Sequence, residues 1–208
     1  LKEGTMHRLT GCTLVAICSY LLCNSAHSYI VSRAKNGDFL KWSNPYLRMV
    51  GHPSNQSALS HDWIQNVVIK GLRRWEEAGK GALSFDYWQG TEAFLYVPNA
   101  LFNGQSSFYF ASNDSTGNPP IGPYILGLTQ VWYNTENGEI LEADVVLNDI
   151  HYEFTSDPED TSGPGSGNSI SSRKVFIENV LTHELGHAYG MAHSGNLQST
   201  MLYMEAPD

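Results

Sequence analysis

Five residues near the end of this 208-residue chain constrain it more than any others: His183, Glu184, His187, Gly190 and His193, within the run HELGHAYGMAH. His183 and His187 are four residues apart, so on a helix their imidazoles leave the same side, one turn apart. That separation lets two ring nitrogens meet one zinc ion at about 2.0–2.1 Å each. Gly190 permits the left-handed turn that stops the helix, after which the chain doubles back and brings His193 to the same point. Three neutral nitrogen donors leave the fourth position of a zinc ion open, which marks a reactive site rather than a structural one. Glu184 follows the first ligand and can face a water on the metal.

Such a helix needs a scaffold, and the rest of the chain supplies the pattern for one. Ile64, Val67, Val68, Gly71, Leu72 and Trp75 recur at three- and four-residue spacing, which predicts an amphipathic helix from about Ser60 to Ala78. Ser60 caps its start, Asp62 suits its positive end, and Gly79 ends it. The motif helix is expected to begin near Ser171 or Ser172 and to end at Gly190, with Phe176, Ile177, Val180, Leu181, Leu185 and Ala188 facing inward.

Between the helices the pattern is that of strands. FLKWSNPYLRMV, ALSFDYW, AFLYV and SSFYF are aromatic and aliphatic runs bounded by turn formers. GLTQVWYN and EILEADVVLND flank Asn137-Gly138, a strong hairpin signal because both residues tolerate positive φ. His151 to Ser172 reads as a long loop. Its Asp157, Glu159 and Asp160 make calcium conceivable there, but they lack the spacing of a calcium loop. A solvated loop is the simpler expectation.

Composition narrows the class. No apolar run reaches about 18 residues, so no mature membrane span is expected. The net charge of −9 argues against a nucleic-acid partner. The charge is uneven: beyond residue 80 only Arg173 and Lys174 oppose sixteen acids. At the start, His7 and Arg8 precede GCTLVAICSYLLC and then small residues, the pattern of a secretory signal peptide over residues 1–26, with Met6 a more natural start than Leu1. A lipid-anchored Cys23 is the weaker option, because Leu22 is bulky. Cys12, Cys18 and Cys23 all fall in this leader, so residues 27–208 form one cysteine-free domain that relies on its core or bound metal for stability.

His183, Glu184, His187, Gly190 and His193 together resemble the metzincin metalloproteases. Ser194, directly after the third histidine, is similar to the matrixin branch, and Ser199-Thr200-Met201 resembles the methionine turn beneath the three histidines of that clan. The resemblance extends through the first helix and ILGLTQVWYN…ILEADVVLN and covers roughly residues 30 to 205. It implies an α+β zincin-like fold, with a twisted mixed five-stranded sheet, two long helices and one catalytic zinc at the cleft floor. It also implies that Gly127 to Tyr133 is the cleft-side edge strand, to which an extended peptide substrate could pair.

The implied activity is that of a secreted zinc metalloendopeptidase. His183, His187 and His193 would hold the zinc, with Glu184 as general base on the activated water, Gly190 and Met201 in support, and a monomer as default. Three departures accompany the resemblance. Tyr203 stands where matrixins carry proline, in a position to assist the zinc or to line the pocket. Only seven residues follow Met201, where the family carries a further helix, so a shortened C-terminus is expected. No inhibitory cysteine segment is seen. A second zinc site finds no match: His52, His61 and His151 lack ligand spacing, and Asn148 and Asp149 are weak cation candidates. The alternatives are a hydrolase for a non-peptide bond and a catalytically silent secreted zinc-binding module on the same fold.

Overall fold

The computed structural model describes residues 30–52, 57–89, 102–111, 121–161 and 174–202. The leader, the run AFLYV and Tyr203 lie outside the described residues. Within them the elements run β1 (Ile30–Val31), β2 (Lys41–Trp42), β3 (Tyr46–His52), α1 (His61–Ala78), β4 (Ser84–Gln89), β5 (Ser106–Ala111), β6 (Gly127–Tyr133), β7 (Glu139–Asn148), β8 (Glu153–Thr155), β9 (Lys174–Phe176), α2 (Ile177–Ala188) and β10 (Met191–Ala192).

The central sheet is mixed and mostly parallel. The long strands run β4-β3-β5-β7-β6, and only β6 is antiparallel to its neighbour. The 6-stranded sheet is thus the expected five strands plus the short β2, which pairs with the start of β7. The predicted run FLKWSNPYLRMV breaks in two for a local reason. Pro45 has no N–H to give a ladder, and the Asn44 side chain accepts the Tyr46 N–H at 3.1 Å, turning the chain between β2 and β3.

α1 forms where its stripe predicts, and the residues it buries are Ile64, Val67, Val68, Gly71, Leu72 and Trp75. Ser60 Oγ caps it by accepting the Trp63 N–H at 3.3 Å. β7 shows why alternation matters. Ala143, Val145 and Leu147 enter the core beneath the helices, with Leu185 and Ala188 of α2, while Val146 joins Tyr109 and Ile121 on the opposite face. Glu142 and Asp144 share that opposite face and are buried there. The β6–β7 hairpin closes as Gly138 N–H donates to Asn134 O and Asn134 N–H to Glu139 O. Only Gly138 takes positive φ, at 72°, so the turn is a longer one than the two-residue turn Asn137-Gly138 suggests.

α2 starts later than the pattern predicts. Lys174–Phe176 are not helical; they form β9, which pairs in parallel with β8 inside the stretch expected as loop. Val175 and Phe176 are apolar enough to extend the helical stripe, but pairing with Glu153–Thr155 claims their backbone first. No described helix is long and apolar enough to cross a membrane.

Candidate metal centre

The site is built on α2 and on the chain that returns from it. Three contacts fix α2 against the scaffold: Trp75 Nε1 donates to Thr182 O at 2.8 Å, Trp42 Nε1 to Ala188 O at 2.9 Å, and the Tyr189 hydroxyl to Leu83 O at 3.0 Å. Each satisfies a buried polar tip while its ring fills the core. Gly190 then takes φ of 91°, as expected, and a side chain there would press on Leu40 O. The chain reverses into β10, which pairs antiparallel with β1 and delivers His193.

The three imidazoles converge. His183 and His187 Nε2 are 3.2 Å apart, His183 and His193 Nε2 are 3.2 Å apart, and His187 and His193 Nε2 are 3.1 Å apart. Tetrahedral bonds of about 2.0–2.1 Å to one ion would set nitrogens about 3.3 Å apart, so the triangle fits zinc. The outer nitrogens settle the chemistry. His183 Nδ1 lies 2.8 Å from Thr200 O, and His187 Nδ1 lies 2.8 Å from Met191 O. A carbonyl can only accept, so both Nδ1 atoms carry the proton and both Nε2 lone pairs face the centre. Lone pairs that close repel unless a cation lies between them. Burial pushes His187 down to about 4, with the backbone of Met191 opposing and the neighbouring histidines adding to the fall. Burial and His183 also lower His193. The ring that would have to take a proton thus resists it, and a metal ion is the cation that fits. Among the described residues this is the one group of His, Cys, Asp and Glu spaced to hold a metal.

Glu184 is 6% exposed and faces β6. The Thr129 hydroxyl lies 2.8 Å from its Oε2 and 2.9 Å from its backbone oxygen, so it donates to one or the other. Gly127 leaves room for it: a Cβ there would stand 2.8 Å from Glu184 Cγ. Burial pushes the Glu184 carboxyl up to about 7, against the lowering effect of Thr129. A divalent charge at the imidazole centre would work the other way and favour the carboxylate. Sequence reasoning placed β6 at the cleft but missed Thr129 and Gly127 as the partners of Glu184. Their role depends on which β6 residues face α2, and no local pattern carries that.

Met201 is 1% exposed and lies under the helix. Its Sδ would be 2.2 Å from a Cβ on Gly186. Ser194 N–H donates to Met201 O at 2.5 Å, tying the returning chain to this turn. The secondary candidates sit elsewhere. Asn148 Nδ2 donates to Gly122 O and Ile125 O, anchoring the approach to β6, and Asp149 accepts from Ser57 Oγ. Asp160 pairs with Lys174 at 3.0 Å, and Asp157 accepts the Glu159 N–H, so these acids serve the local chain.

The mixed sheet, the two helices and the three-histidine centre define a metalloprotease of the metzincin kind. The family model for peptidase M10, matrixin, matches residues 41–206, and the chain belongs to the matrixin family. A comparison with curated proteins finds no match.

Proposed function

We propose that this protein is an exported zinc endopeptidase in which Glu184 is the general base. The observation that carries the proposal is the convergence of three Nε2 atoms beside one buried carboxyl. His183, His187 and His193 would hold the zinc, which when bound supplies Lewis acidity to a carbonyl oxygen and to water. β6 pairs with β7 on one side only among the described strands, so an extended peptide can lie along its free edge by strand addition.

Glu184 Oε1, the oxygen not engaged by Thr129, takes the proton as the water oxygen adds to the carbonyl carbon. It returns that proton to the amine nitrogen as the C–N bond breaks. Met201 and Gly190 hold the ligands in place. Export is supported by the basic start and short apolar run of residues 1–26. Tyr203 is proposed as a pocket wall; a Tyr203→Phe variant with strongly reduced turnover would make it catalytic instead.

The test is Glu184→Ala. Zinc content should stay at one per chain while cleavage of a fluorogenic peptide falls by about 10²–10⁴-fold. Wild-type cleavage by this variant would remove Glu184 from the base role.

A further inference from the structure

The cleft is a cavity of about 810 Å³, and it extends beyond the histidines towards the start of α2. One lysine or arginine lines it among the described residues: Arg74, contributed by α1. Asn179, one turn before His183 on the same face of α2, lines it as well. Arg74 lies 3.5 Å from the carboxylate of Glu178, the residue before Asn179 in the first turn of α2.

The charges there do not cancel. Lys70 Nζ holds both Glu178 oxygens, at 2.7 and 2.9 Å. Arg74 reaches the same carboxylate only at 3.5 Å, and its side chain is 50% exposed. Two cations thus share one acid, and the half-exposed Arg74 side chain lines the cavity. The cavity that Arg74 lines is also walled by Val180, Ile125 and Leu202, with Asn179 and Thr182 of α2 as polar neighbours.

We infer that this end of the cleft is a recognition pocket for an acidic substrate side chain, with Arg74 as its anion-binding group. This specificity rests on the peptidase reading above. The methylenes of such a side chain would lie against Val180 and Ile125, and its carboxylate would meet the guanidinium in a fork geometry. A lysine in the same place would face a like charge.

The experiment uses one fluorogenic peptide with Glu, Leu or Lys at each position flanking the cut bond, and zinc-loaded protein. The Glu peptide should exceed the Lys peptide in kcat/KM by about tenfold or more at one flanking position. Arg74→Gln should level that ratio and Arg74→Glu should invert it. A parallel calorimetric titration of the same peptides uses zinc-loaded Glu184→Ala protein, with and without Arg74→Glu, and reads recognition without cleavage. Equal use of Glu and Lys peptides, or a ratio that Arg74→Glu leaves unchanged, overturns the inference while leaving the peptidase reading intact. Absence of all cleavage overturns the peptidase reading, and the titration then still decides the pocket: tighter binding of Glu than Lys that Arg74→Glu reverses supports it, and equal binding overturns it.

Discussion

Thr129→Val is a nearly isosteric change aimed at one hydrogen bond. The hydroxyl lies 2.8 Å from Glu184 Oε2 and is the side-chain partner of that carboxylate among the described residues. A hydrogen bond to a charged group contributes about 1.5–3 kcal/mol. Thr129 is only half-buried, so the lower part of that range applies, about 1.5–2 kcal/mol. At 1.36 kcal/mol per factor of ten, kcat/KM should fall roughly 10- to 30-fold. The methyl that replaces the hydroxyl keeps the volume, and β6 keeps its ladder to β7, so zinc content and melting temperature should hold. The assay is steady-state cleavage of a fluorogenic peptide, with metal content measured on the same sample. A kcat/KM within twofold of wild type, with zinc fully bound, would refute the claim that Thr129 positions the base.

Two further predictions concern the scaffold. Gly186→Ala would put a Cβ 2.2 Å from Met201 Sδ and 2.7 Å from Trp75 Cζ2, so overpacking should cost about 1–3 kcal/mol and lower the melting temperature by several degrees; an unchanged melt would show that Met201 does not press on the helix. Asp144 is pushed up from 3.8 to about 7, chiefly by burial and further by Glu142, with Ser107 opposing. The folded state therefore holds a proton that the unfolded chain releases, and this contribution to stability is full below pH 3.8 and is lost as pH rises through about 7. Asp144→Asn can still accept both Ser107 bonds, so its denaturant midpoint should vary less between pH 5 and pH 8 than that of wild type; parallel profiles would contradict the argument.

Elements with their own periodicity were legible in the sequence. The α1 stripe names the same six residues the helix buries, because a 3.6-residue repeat is a property of the segment alone. The same holds for the convergence of His183, His187 and His193, since four-residue spacing and the turn at Gly190 act locally. What the sequence left hidden depends on partners distant along the chain. β2, β8, β9 and β10 are two or three residues long and exist only because another segment pairs with them. The contact of Thr129 with Glu184 spans 55 residues, and that of Arg74 with Glu178 links two helices whose relative placement no single pattern carries.

Zinc-edge X-ray absorption on the purified, zinc-loaded protein tests the central claim most directly. The account predicts three imidazole nitrogens and one further light-atom ligand at about 2.0–2.1 Å, with one imidazole lost in a His193→Ala variant. A spectrum that His193→Ala leaves unaltered, or a first shell without three imidazoles, would contradict it.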